Sequence, residues 1–382
     1  MRKIRILFIH YQLVCGGAEQ ALFDQISLLN KSVFDVTVLA LYGHGEWEAK
    51  FKEAGIHVVN VLQRRQKNWN PISFMRHQFR KSRVLYHLKK DPEGLINFLF
   101  PEGMDIVVSY SMWESDEIGF TSDTKSIRYI HGDMKTNAGC YESVMRIRDS
   151  LCRYNRIICV SEMAAQSFRE ITGVSENVCV HYNPLNSDNV RMLAQEPLDL
   201  PMDLPIICAV GRLAPEKGYE RLIRIHKKLW DKGVHHRLVI VGDGPLMEVL
   251  KQIVRETETQ DTVLLAGYQK NPYPYMRKSR FLVCSSYTEG LPVTVMESLS
   301  MGIPVVSALP SIAEVFGDEA CGIITENDDA SLENGINKML TEDQFYDQIK
   351  LAAQRRSGCF DGSVMIRDIE KEYFEVLGDH SA

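Results

Sequence analysis

Residues 206–223 read IICAVGRLAPEKGYERLI, and residues 281–306 read FLVCSSYTEGLPVTVMESLSMGIPVV. Each opens on a short apolar run (Ile206–Val210, Phe281–Cys284), crosses a glycine-marked loop and enters a segment of helical spacing. Buried strand, loop and helix in repetition are the unit of a parallel sheet covered on both faces. Further strands are predicted at 238–241, 263–265, 304–306 and 323–324, with helices starting near Gly218, Pro245, Pro292 and Asp329. Upstream, the runs 4–9, 36–41, 58–61, 106–109, 127–130, 157–160 and 178–180 read as strands, with helical spacing at 18–29 and 142–152. Between the halves lies a polar stretch, 182–205, carrying Pro184, Pro197, Pro201 and Pro205, which reads as an interdomain connection. The predicted fold is α/β: two Rossmann-like domains, 1–183 and 184–360, followed by a last helix at about 361–377. Two such domains in series are expected to face a cleft with the carboxyl ends of their parallel sheets, where open α/β folds bind ligands.

Composition agrees with two soluble cores. The chain has 382 residues, 45% hydrophobic and 25% charged, too long for one ordinary domain. A net charge of −6 excludes the overall basicity of a nucleic-acid binder. Nine cysteines occur without a Cys-x-x-Cys pair, several inside apolar runs such as RIICVS and FLVCSS. That usage argues for a reducing compartment and against a disulfide framework or a zinc site. The apolar run after the basic N-terminus spans only 6–9, too short for a signal segment, and no stretch approaches the length of a spanning helix. The expected location is cytoplasmic.

Four constellations carry chemistry. Gly16 and Gly17 stand between the first strand and a helix beginning near Ala18, where backbone N–H groups and a positive dipole end can meet a phosphate. A plain strand-to-helix turn has the same pattern. The third glycine of a dinucleotide fingerprint is missing, which speaks against a nicotinamide oxidoreductase, and no P-loop motif occurs. Arg212 and Lys217 leave the carboxyl end of a strand just before a helix, a placement suited to a pyrophosphate; a solvated surface pair is the alternative. Glu289 lies in the loop after the strand Phe281–Cys284 and Glu297 eight residues on, with Gly290 and Leu291 before a helix entered at Pro292. Carboxylates so spaced can read sugar hydroxyls. His131, in RYIHGDMK, ends a strand of the first half, a position open to ligand contact as well as to a satisfied loop histidine.

Together these motifs resemble the retaining nucleotide-sugar glycosyltransferases of the GT-B fold, family 4 (glycosyl transferases group 1). The likeness covers nearly the whole chain and is strongest over 209–328, where G-R-L-x-x-x-K-G, V-G-D-G-P, E-G-L-P-x-x-x-x-E-S and G-I-P-V-V follow in the family's order. It implies that Glu289 lies near the transferred sugar and Glu297 at the nucleotide ribose. It further implies that Arg212 and Lys217 hold the donor phosphates, with Gly16, Gly17, Gly290 and Leu291 in the donor site and His131 near the donor sugar. The last helix, 361–382, is implied to pack back on the N-terminal, acceptor-side domain. The implied activity is a retaining, hexosyltransferase-type transfer from a nucleotide sugar, UDP by family frequency, in bacterial polysaccharide assembly. No Asp-x-Asp occurs in the chain, so no metal or other cofactor is expected, the fixed cations taking the metal's place.

The acceptor is written less clearly. Residues 63–90 hold Arg64, Arg65, Lys67, Arg76, Arg80, Lys81, Arg83, Lys89 and Lys90 with no acidic residue, interleaved with Trp69, Phe74, Met75 and Phe79. A basic amphipathic helix over 64–90 suits an anionic membrane surface and a lipid-linked glycan acceptor, and nucleic acid is not expected. A solvated basic helix has the same pattern. Two other functions share the fold: a nucleotide-sugar 2-epimerase, and a non-catalytic sugar-nucleotide-binding subunit.

Overall fold

The computed structural model describes residues 2–14, 16–43, 45–62, 71–111, 124–135 and 148–378. The chain divides into two compact units, Met1–Pro184 with Ser363–Ala382, and Leu185–Gly362. In the first, β1 (Ile4–His10), β2 (Phe34–Tyr42), β3 (His57–Leu62), β4 (Ile106–Ser109), β5 (Lys125–Ile130), β6 (Arg156–Cys159) and β7 (Val178–Val180) form one sheet in the order β3-β2-β1-β4-β5-β6-β7. In the second, β8 (Ile206–Val210), β9 (Arg237–Val241), β10 (Val263–Gly267), β11 (Phe281–Cys284), β12 (Val305–Ser307) and β13 (Gly322–Ile324) pair as β10-β9-β8-β11-β12-β13. Every pairing is parallel. Both units are thus Rossmann-like α/β domains, the fold class expected from the strand–helix alternation.

The central strands are apolar without alternation because helices cover both their faces. β1 sets Ile6 against Val36 on one side and Ile106 on the other, and Ile6, Leu7, Phe8 and Ile9 are all fully buried. In each sheet the order reverses beside the first strand, between β1 and β4 and between β8 and β11. The loops leaving the carboxyl ends of those strands therefore diverge, which makes these two points the natural ligand positions of the two domains.

Two segments take their place from more than composition. The stretch read as a connection, 182–205, holds a helix, Ser187–Leu193, inside the second unit. Its start is capped by Asn186, whose side chain accepts from the Asn189 N–H at 3.1 Å, and Leu185 and Val190 are buried beneath it. The prolines bound this helix without entering it. The second segment is the helix Gly362–Leu377, which follows the last strand of the second unit yet joins the core of the first. Ile366, Ile369, Tyr373 and Val376, at helical spacing, pack with Ile26, Leu29 and Phe34. The Gln25 amide donates to both the Tyr373 hydroxyl (2.7 Å) and the Tyr129 hydroxyl (2.8 Å), tying that helix to the sheet. Of the helix expected at 142–152, residues 142–147 lie outside the described ones; 148–151 are helical.

Candidate functional site

β8 ends at Val210, and the chain turns through Gly211 to Lys217 before the helix Tyr219–Asp231 begins. Gly218 makes that entry, with φ +64°, a left-handed backbone that favours glycine. A Cβ there would come within 2.3 Å of the Ser285 carbonyl, so the β8 loop and the β11 loop touch backbone to backbone at this residue. The Ser285 hydroxyl donates to the Lys217 carbonyl at 2.8 Å, and the Tyr287 N–H to the Glu216 carbonyl at 2.8 Å. The two loops at the reversal point of this sheet are one braced structure.

That brace brings Lys217 and Glu289 together. The ammonium donates to Glu289 Oε2 at 2.7 Å, with the side chains only 20% and 16% exposed. Ser286 donates to the other carboxylate oxygen. Glu289 is therefore held at both oxygens, while Lys217 has used one of its three N–H donors on it. Arg212 stands apart: 65% exposed, it pairs with Glu216 at 2.9 Å. An exposed ion pair is worth about 0–1 kcal/mol, so its guanidinium is cheaply re-aimed at an anionic ligand.

Arg221 was not singled out by the sequence, and it organises the β11 loop. Buried, it donates to the Ser285 carbonyl (2.9 and 2.6 Å), the Ser286 carbonyl (3.1 Å) and Asn327 Oδ1 (2.8 Å), and lies 4.1 Å above the Tyr287 ring. Burial pulls its pKa below the usual guanidinium value, and the Tyr287 side chain opposes that. Its partners lie more than sixty residues away, a separation no spacing rule reads. Gly290 and the buried Leu291 continue the loop to Pro292, which precedes the helix Val293–Ser300; no side chain caps that helix. Glu297 lies on this helix, 5% exposed, and its Oε1 accepts from the Tyr273 hydroxyl at 2.9 Å. Tyr273 is a second residue the sequence did not indicate.

The other sequence-marked residues belong to the first unit. Gly16 precedes the helix Gly17–Leu28, whose N-terminus no side chain caps. A Cβ at Gly17 would meet nothing within 4 Å, so this glycine is not required by packing. At Gly16 the Glu19 carboxylate occupies that space, 2.5 Å from an added Cβ. Glu19 also lies 3.8 Å from His10, at the end of β1. His131 follows β5, with the Tyr110 ring centroid at 4.4 Å and the Tyr129 ring stacked at 5.7 Å. Burial lowers the His131 pKa to about 3, with the charge of His10 adding to the fall and the Tyr110 backbone opposing it. Burial likewise lowers His10 to about 4, against the Gln12 backbone. Both imidazoles are neutral at pH 7, so His131 can offer a hydrogen bond but no positive charge.

Of the basic run 64–90, residues 64–70 lie outside the described ones, and 71–90 form a helix, Pro71–Lys90. Arg80, Lys81, Arg83 and Lys90 are exposed on it. Met75, Phe79 and Tyr86, near one another on a helical projection, are 70%, 66% and 60% exposed. Val84 faces the core instead. Among the described residues no helix is long and apolar enough to cross a membrane.

Comparison with known proteins adds the following. Residues 191–356 match the family model described as glycosyl transferases group 1. The chain is 32% identical over 202 residues to the N-acetylgalactosamine-N,N'-diacetylbacillosaminyl-diphospho-undecaprenol 4-alpha-N-acetylgalactosaminyltransferase of Campylobacter jejuni, covering 52% of this chain and 54% of that protein. It thus spans about half the length of that relative. To an uncharacterized glycosyltransferase of Haemophilus influenzae it is 22% identical over 347 residues, 87% of this chain and 89% of the other. Among solved structures, Anabaena HepE in complex with UDP and glucose superposes with a TM-score of 0.75 at 17% identity, covering 97% of this chain and 100% of that one. A glycosyltransferase from Rickettsia africae gives 0.77 at 18% identity, with 100% of both chains covered. At such identities the likeness to solved structures is one of fold, the GT-B arrangement of two Rossmann-like domains. The family model lies across the domain that carries Arg212, Lys217, Glu289 and Glu297, and that domain is the part of the chain that matches the glycosyl transferases group 1.

Proposed function

We propose that this protein is a retaining glycosyltransferase that uses a nucleotide-sugar donor, a UDP-sugar, and needs no metal ion. The observation that carries the proposal is the Lys217–Glu289 pair, held between two braced loops where the sheet order reverses. A carboxylate engaged at both oxygens is poorly placed to attack a sugar, so a covalent glycosyl-enzyme is not invoked. Instead the acceptor hydroxyl approaches the face from which the phosphate departs. The sugar–phosphate bond breaks through an oxocarbenium-like state, the new glycosidic bond forms, and the leaving phosphate oxygen takes the hydroxyl proton. Lys217 and Arg212 stabilise the charge growing on the phosphate, aided by the uncapped N-terminus of the helix Val293–Ser300. Glu289 serves as a hydrogen-bond partner of the sugar, and Glu297 of the ribose.

The decisive experiment follows nucleotide diphosphate release over a panel of nucleotide sugars, with the anomeric configuration of the product read by NMR. Release of the diphosphate with retained configuration is expected; an epimerised, unhydrolysed nucleotide sugar as the product would replace transfer by 2-epimerisation. The same turnover is expected to persist in EDTA, because two fixed cations and a helix N-terminus supply the charge a metal would bring. Abolition by chelator with rescue by Mg²⁺ or Mn²⁺ would overturn that part of the mechanism.

For the acceptor we infer a lipid-linked glycan in bacterial cell-surface assembly, met at an anionic membrane surface. The exposed Met75, Phe79 and Tyr86 beside Arg80, Arg83 and Lys90 support this, as does the diphospho-undecaprenol substrate named for the Campylobacter relative. Flotation with anionic liposomes is expected to exceed that with neutral ones and to fall as salt rises, because screening weakens the ionic part. Equal flotation with both would remove the membrane from the proposal and leave the transferase reading intact.

A further inference from the structure

β7 is the edge strand of the seven-stranded sheet, and it presents Cys179 and, one residue past its end, His181. Two residues apart on an extended chain, their side chains point to the same face. Glu372, from the helix Gly362–Leu377, meets them there. One ligand atom of each, the thiol sulfur, an imidazole nitrogen and a carboxylate oxygen, lies within 4.8 Å of the other two. His181 Nε2 is 2.9 Å from Glu372 Oε1. The second carboxylate oxygen is taken by Arg156, at 2.7 Å, which also reaches Glu375 at 3.1 Å. All three side chains are partly exposed, so an ion has a path to them.

We propose that Cys179, His181 and Glu372 form a zinc-type site that fastens the C-terminal helix to the edge strand of the first domain. Thiolate, imidazole and carboxylate are the donor set Zn²⁺ prefers, while Ca²⁺ and Mg²⁺ demand more oxygens than the cluster has. Donors bound at about 2.0–2.3 Å around a tetrahedral ion stand roughly 3.3–3.8 Å apart. His181 Nε2 and Glu372 Oε1, at 2.9 Å, already lie inside that spacing, and the thiol sulfur lies within 4.8 Å of both. Arg156 does not compete for the ion's place, since it is ion-paired with Oε2 while Oε1 faces His181; a ligating carboxylate ordinarily has a second partner on its far side. Three protein ligands leave the fourth position to water. Binding removes the thiol proton, which passes to the buffer, and requires neutral His181 and ionised Glu372. The fastening has a purpose in this fold. The helix comes last in the chain, after the whole second unit, and must be retained by the first. The site is separate from the donor chemistry, whose cations lie in the second unit.

The test uses the full chain, stripped with a chelator and titrated with Zn²⁺ against a competing indicator, and in parallel with Co²⁺. One equivalent of Zn²⁺ is expected to bind and raise the melting temperature, and Co²⁺ is expected to give a thiolate-to-metal charge-transfer band. Cys179→Ser and His181→Ala should abolish the band and weaken Zn²⁺ binding by at least about 10–100-fold. Cys152→Ser and Cys359→Ser, at exposed thiols, should change neither. Glu372→Gln, which keeps the side chain's size, gives the same reading if either of the first two variants fails to fold. Absence of the band in the wild-type chain would leave the helix to the Arg156–Glu372–His181 ion pairs, and its persistence in Cys179→Ser would place the metal on another thiol; either result would overturn the proposal.

Discussion

Lys217→Ala is expected to lower turnover of the nucleotide-sugar donor by on the order of 10²–10³, the loss seen when one preorganised charge-stabilising group is removed. Affinity for the intact donor should fall much less. On the proposed mechanism the ammonium's interaction strengthens as charge builds on the leaving phosphate, and only interactions stronger in the transition state than in the ground state accelerate the step. The structure adds a second consequence. Lys217 is also the partner of the half-buried Glu289, at 2.7 Å, so its removal leaves that carboxylate with the Ser286 hydroxyl and the weaker Cys284 thiol at 3.9 Å. Steady-state kinetics beside calorimetry of donor binding separates the two effects. Equal losses in turnover and in binding would mean that Lys217 holds ground state and transition state alike, and the assigned role would be lost.

Glu289→Gln is the second large effect. The change keeps shape and removes the charge and one acceptor site, so turnover with the sugar donor should drop steeply. Affinity for the bare nucleotide diphosphate, which carries no sugar, should stay close to wild type. Glu297→Gln should behave in the opposite sense. If Glu297 holds the ribose through a charged hydrogen bond worth about 1.5–3 kcal/mol, nucleotide affinity should fall by roughly 10–100-fold. Because Lys217 and Glu289 share one ion pair, their effects should not add. The double variant is expected to be less impaired than the product of the two single losses, as residues in direct contact couple. Wild-type transfer by Glu289→Gln would move the reaction away from the β8 and β11 loops altogether.

How much of this was legible beforehand differs from feature to feature. The parallel α/β class was readable because continuous apolar strands such as Ile206–Val210 and Phe281–Cys284 recur between helical segments, a local and periodic signal. The loops bearing Lys217 and Glu289 were readable for the same reason: glycine and proline after a strand mark the carboxyl end of a sheet. Their contact with each other was not, since seventy-two residues separate them. The helix Ser187–Leu193 was hidden by flanking prolines, which dominate the composition of 182–205 without interrupting the helix itself.

By itself, then, the sequence determined the kind of strands and helices, their order, and which loops would carry charge to the ends of the strands. Those properties are set by neighbours within a few residues, through side-chain period, capping and backbone freedom. Only the tertiary structure decided that Arg221 braces the β11 loop, that Glu297 is sealed against Tyr273, and that a Cys-Val-His strand end meets a glutamate 191 residues further on. It also gave particular residues to the packing that the family resemblance implied for the final helix, whose Ile366, Ile369 and Tyr373 complete the core of the first unit. Contacts of this kind arise where strand order brings distant chain segments side by side, and no local pattern records which segments those are.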